Sequence, residues 1–113
     1  MASRPAKLLR IHLAESDRHE GKPLYEAIVA KCRGMGIAGA TVFRGLEGYG
    51  ETAEMHRARL FTHDQPIVVL IVESAENVQR ILAAVDGMTD AALAALIDVV
   101  AIDAAIEPHA REA

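Results

Sequence analysis

Residues 66–72 read Pro-Ile-Val-Val-Leu-Ile-Val, the longest apolar run in the chain. It is strand-length and far short of the roughly 20 residues that a membrane-spanning helix needs. A half-exposed strand alternates apolar and polar residues. This run does not, so both of its faces call for cover. The next residues form a helix that can cover only one of them. Ser74 is a natural N-cap, Glu76 lies in the first turn, and Val78, Ile81, Leu82 and Val85 form one apolar stripe that ends at Gly87. The rest of the chain must therefore account for the second face.

The upstream half has the same layout. Lys7 to Leu13 reads as a strand, with Leu9, Ile11 and Leu13 on one face and Leu8, Arg10 and His12 on the other. Residues 14–22 form a polar loop. Pro23 suits the opening of a helix. Leu24, Ala27, Ile28, Lys31 and Met35 keep helical spacing, and Gly34 or Gly36 ends that helix. Ala40 to Glu47 is a second strand, followed by a loop over 51–64 without helix or strand signal. After the second helix, Thr89 caps a short helical turn through Leu93, and Leu96 to Ile102 is the last strand.

The order β-α-β, β-α-β over 113 residues predicts one α+β domain. It is a ferredoxin-like βαββαβ sandwich, a four-stranded antiparallel sheet with two helices on one face. The core spans about residues 7–103, and 104–113 form a tail. With aromatic residues at 4%, the core must be aliphatic. Two helices leave the other sheet face bare, a patch of several hundred Å2 on a monomer, so this face is expected to be buried in an oligomer. A formal net charge of -4 argues against nonspecific nucleic-acid binding. There is no apolar run for direct membrane insertion and no leader-like segment at residues 1–5. The single cysteine, Cys32, can form no internal disulfide, so a cytoplasmic location is expected.

Several phrases together carry a resemblance. They are Gly-Ile-Ala-Gly-Ala-Thr-Val at 36–42, Glu-Ser-Asp at 15–17, Gly-Lys-Pro-Leu-Tyr-Glu-Ala-Ile at 21–28 and Arg-Gly-Leu-Glu-Gly-Tyr-Gly at 44–50, with a long loop before Pro66. Over roughly residues 7–103 the chain resembles the PII signalling superfamily, in particular its uncharacterised PII-like branch. The resemblance implies a homotrimer with sheets packed around a threefold axis and a small effector, usually an adenine nucleotide, in the clefts between subunits. It also implies a loop after the second strand that regulates a partner such as a membrane transporter. No catalytic residue, metal or obligatory cofactor is implied. By position, Gly39 and Thr41 match the adenine pocket, Gly48 and Gly50 the loop base, and Gly87 to Asp90 the second phosphate-facing loop. The chain departs from PII proteins in having no Lys or Arg at 87–90 or 98–103, and Glu51 where they carry a base. These departures favour a monophosphate or cyclic nucleotide over ATP.

The polar residues admit two readings each. Glu15 and Asp17 form either a lip on the intersubunit cleft or an ordinary turn. Arg44 either binds a carboxylate or phosphate in bidentate fashion or pairs with Glu47 or Glu15. Glu47, set among glycines, faces a ligand or a neighbour's amides. Glu51, His56, Arg57 and Arg59 make the loop either a partner-docking surface or a solvated charged segment. The five histidines lack metal-ligand spacing. The alternatives to a sensor are a small enzyme or stress-response protein on the same scaffold, or a trimeric scaffold that binds no metabolite.

Overall fold

The computed structural model describes residues 2–45, 64–89 and 92–103. The expected strand end at Glu47, loop residues 51–63, Asp90 and the tail 104–113 lie outside the described residues.

The first strand, β1, runs Ala2–Ala14, five residues earlier than the sequence predicts. Its cause is the last strand, β6 (Leu93–Asp103), which pairs antiparallel with it from Ala2↔Asp103 to His12↔Leu93. Pro5 is tolerated because β5 (Pro66–Glu73) pairs with β1 only from Lys7 to Ala14, leaving one side of Pro5 without a strand neighbour. The short strand β4 (Thr41–Arg44) pairs with β5. The sheet order is β4-β5-β1-β6, with every neighbour antiparallel. This is the ferredoxin-like arrangement, as expected.

Between β1 and the first helix, the expected polar loop contains a hairpin, β2 (Arg18–His19) with β3 (Lys22–Pro23). Its two central residues, Glu20 and Gly21, both have positive φ, 51° and 81°. That is the turn geometry matching the twist of a two-residue hairpin. The helix α1 (Leu24–Gly34) buries Leu24, Ile28 and Cys32, one turn apart. It ends in a Schellman motif. The Ile37 N–H donates to the Cys32 carbonyl at 3.0 Å, the Gly36 N–H to that of Arg33 at 3.1 Å, and Gly36 takes φ +79°. The helix α2 (Ala75–Asp86) begins at Ser74, whose Oγ accepts the Asn77 N–H at 3.2 Å, and buries Val78, Ile81 and Val85. The short helical turn expected from Thr89 does not reach Leu93, which begins β6 opposite His12.

The core lies between the helices and one sheet face: Leu9, Ile11, Leu13, Ile67, Val69 and Ile71 below α1 and α2. Burial raises the pKa of the Cys32 thiol, consistent with a packing role. The alternate residues Leu8, Arg10, His12, Val68, Leu70 and Val72 form the other face, continued by Thr41 and Phe43 on β4 and by Ala95 and Ile97 on β6. Among the described residues nothing covers this face: Phe43 is 52% and Val72 51% exposed. The run 66–72 is thus buried on one side, and the described residues leave its other side open.

Candidate functional site

The polar turn after β1 grips both stems of the long loop. Its backbone leaves Ala14 and turns through Asp17, whose carboxylate accepts the Ala14 N–H at 2.8 Å. The Asp17 carbonyl then accepts the Leu24 N–H at 2.7 Å, tying the hairpin to the start of α1. Glu15 donates its N–H to the Gln65 carbonyl at 2.8 Å, and its carboxylate pairs with the Arg44 guanidinium. Ser16 donates both its N–H and its hydroxyl to the Asp64 carboxylate, each at 2.8 Å. Arg44 ends β4 and Asp64 precedes β5, so the entering and leaving chains of the loop are held by adjacent residues. Beside them the Gly45 N–H donates to the Pro66 carbonyl at 2.7 Å. A Cβ at Gly45 would stand 2.8 Å from Pro66 Cγ, so this close approach requires glycine.

Of the open readings, Arg44 pairs with Glu15, and Glu15 and Asp17 belong to a built turn that also organises the loop base. Asp64 is the residue that the sequence reading missed. Its only local signal is its place two residues before Pro66 at the head of the apolar run. Asp64→Ala should remove both acceptors used by Ser16. The expected loss is about 2 kcal/mol, because bonds to a charged group are worth roughly 1.5–3 kcal/mol and a part-buried amide is left unsatisfied. Urea unfolding would measure the loss, and faster hydrogen exchange at Ser16 would locate it. Unchanged protection there would show that the turn holds without Asp64.

Gly39 and Thr41 lie at the other end of β4. Thr41 stands opposite Leu70 and Arg44 opposite Ile67, a separation of about 10 Å along the strand. Close to Gly39, Glu73 secures the start of α2. Its carboxylate accepts from the Asn77 side chain at 2.9 Å, the Ser74 N–H at 3.1 Å and the Ala38 N–H at 3.5 Å. The Asn77 bond is the main cause of its lowered pKa, with burial opposing and the backbone bonds and Arg4 assisting. Gly39 is exposed, no heavy atom lies within 4 Å of the place a Cβ would take, and its φ is not in the left-handed region. Neither crowding nor φ within the chain therefore calls for glycine at 39.

Gly87 ends α2, at the opposite end of that helix from Glu73. It lines an open groove of about 920 Å3 between α1 and α2, with His19, Lys22 and Lys31 among the other walls. His19 Nδ1 lies 3.2 Å from the Met88 carbonyl, which ties the hairpin to this end of α2. One chain thus brings Glu15, Asp17 and Arg44 together but does not join Gly39 and Thr41 to them. Glu47, Gly48, Gly50, Glu51, His56, Arg57 and Arg59 lie outside the described residues. Among the described residues no group of three His, Cys, Asp or Glu side chains could hold a metal ion, and no helix is long and apolar enough to cross a membrane.

Comparison with known proteins gives consistent matches. The family described as DUF190, uncharacterized ACR, COG1993, matches residues 6–101. A UPF0166 protein of Aquifex aeolicus is 40% identical over 83 residues, covering 72% of this chain and 79% of the relative. A UPF0166 protein of Methanocaldococcus jannaschii is 39% identical over 79 residues, covering 68% and 72%. The matched region takes in the whole sheet core and both helices.

Proposed function

Because the chain belongs to the DUF190 family, whose description names no activity, we propose that it is a non-enzymatic, cytoplasmic sensor of the PII-like kind. In this reading three copies pack their open sheet faces together. A small anionic effector binds in the clefts between copies, and the loop between Arg44 and Asp64 signals to a regulated partner such as a membrane transporter. The observation that carries the proposal is the loop base. Both stems of the loop are tied to one polar turn, at the end of a sheet whose second face is apolar and, among the described residues, uncovered. A shift of Glu15 or Ser16 on effector binding would therefore reach both ends of the loop at once.

The distribution of the matched residues supports sites between copies. Thr41 sits about 10 Å from Arg44 along β4, and Gly39 precedes the strand at its Thr41 end, so a second chain would have to complete a pocket at either end. Gly39 leaves open space for such an approach. The few cations around these positions favour an adenine monophosphate or cyclic nucleotide over ATP. Such a ligand can shift the loop only through a difference in affinity between loop states.

The test is a thermal-shift screen of AMP, cyclic AMP, ADP, ATP, bicarbonate and 2-oxoglutarate, with the mass measured by sedimentation. A ligand at a hundred times its dissociation constant should add about 2.7 kcal/mol per site. The proposal expects a trimer and a stabilising nucleotide with AMP or cyclic AMP ahead of ATP. A stable trimer that ignores every compound would favour a scaffold. A monomer would remove the intersubunit site altogether.

A further inference from the structure

We propose that the open sheet face, once another copy of the chain closes over it, holds an inorganic oxyanion of the phosphate or sulfate class on Arg10. The proposal rests on the reading that copies cover this face. The face contains a concavity of about 400 Å3 lined by Leu8, Arg10, Phe43, Val68, Leu70 and Ile97. Among the described residues Arg10 is its one charged wall. Among the described residues Arg10 has no hydrogen bond or ion pair, unlike Arg4, Lys7 and Arg44, each of which meets a carboxylate.

The strand register explains why Arg10 is alone. Its cross-strand neighbours are Leu70 and Ala95, and beyond Leu70 stands Thr41. His12, the next residue of β1 on this face, has its pKa lowered by burial and then by Arg10, which favours the neutral ring; an imidazole in either form supplies no negative charge. The only carboxylate that the described strands place on this face is Asp103. It sits at the far end of β6, opposite Ala2, and is already bonded by Arg4 at 2.7 Å. Among the described residues, the same face of a second copy therefore brings further cations and apolar side chains, and no free carboxylate.

Closing such a face over an uncompensated guanidinium is strongly unfavourable, and a guanidinium cannot be neutralised as a lysine or histidine can. Its planar fork binds two oxygens of a phosphate or sulfate in parallel. An oxyanion in the concavity would supply the missing charge while the neighbour's side chains cover the apolar walls. Assembly and oxyanion binding would then be linked, each strengthening the other.

The experiment compares the native protein with R10Q and R10K. Inorganic phosphate is titrated at constant ionic strength against sodium chloride. Binding is read by calorimetry and mass by sedimentation. In the native protein, phosphate should bind, and at ten times its dissociation constant should tighten association about tenfold per site. R10Q should bind no phosphate and should assemble without it as firmly as the native protein does with it. R10K should keep a weaker response. Phosphate binding by R10Q equal to the native protein would overturn the assignment. So would an oligomer indifferent to phosphate that falls apart in R10Q, since a carboxylate from elsewhere on the neighbour would then be the partner. A stable native trimer without phosphate dependence defeats the oxyanion site and leaves the sensor reading intact, whereas a native monomer at every phosphate concentration defeats the covered face itself.

Discussion

Ile28→Ala should lower the unfolding free energy by about 3 kcal/mol, and Ile28→Val by about 1 kcal/mol. Ile28 is fully buried and lies on the inward face of α1, one turn from Leu24 and from Cys32. It belongs to the one buried cluster that also holds Leu9, Ile11, Ile71, Val78 and Ile81. Truncation removes three carbons from a site walled by a sheet and a second helix, which limits how far the surroundings can collapse into the space. The loss is a large share of the roughly 5–15 kcal/mol by which a domain of this kind is stable. At about 4–8 °C per kcal/mol for a domain near this size, the melting temperature should fall by more than 10 °C. Protein concentration must be held fixed, because association stabilises by mass action. A loss below about 1 kcal/mol for Ile28→Ala would mean that the site refills cheaply, against the close packing expected of such a core.

The parts of the fold that were legible in the sequence are those decided within a few residues. Ser74 caps α2 as its position before an apolar stripe indicates, and Gly36 closes α1 in the left-handed conformation that glycine allows. Leu9, Ile11 and Leu13 alternate with Leu8, Arg10 and His12, and the sheet sorts them onto opposite faces as the period-two pattern requires. The misjudged boundaries depend on distant partners. Ala2 to Ala6 join β1, and Leu93 to Ala95 join β6, because each is the other's ladder. Alanine and proline give little strand signal of their own. The hairpin at 18–23 escaped notice because its first left-handed residue is Glu20, where Asn or Asp is the usual cue.

The candidate site shows the same division. Glu15 and Arg44 were each visible as polar residues beside a strand, and their pairing was one of two open readings. Asp64 was not visible, because what gives it meaning is Ser16, 48 positions away. No local pattern announces a bond across that separation. The unpaired state of Arg10 is likewise a property of register. The sequence shows a cation on the second face, but only the sheet shows that Leu70 and Ala95 flank it.

Leu70→Lys should leave the chain folded and dissociate the assembly. Leu70 lies on β5 between Arg10 of β1 and Thr41 of β4, on the face away from both helices, and is half-buried. In a single chain the lysine can reach water along the open face, so the cost to folding should stay near 1 kcal/mol, including repulsion from the directly opposed Arg10. In an assembly closed over this face the same ammonium would be enclosed beside an existing guanidinium, with Asp103 already engaged by Arg4. Leaving a buried charge without a partner costs about 3–5 kcal/mol, which corresponds to a dissociation constant raised by about a thousandfold. Sedimentation in a buffer free of phosphate and sulfate should show Leu70→Lys as a monomer at concentrations where the native protein is assembled. Circular dichroism and a cooperative melt should show that it is still folded. Leu70→Met, which keeps volume and polarity, should assemble as the native protein does. Any nucleotide response that depends on clefts between copies should be lost with the mass. A Leu70→Lys protein that keeps the native mass would show that the open sheet face is not the surface that copies share. A folded monomer that still responds to nucleotide would move the site inside one chain.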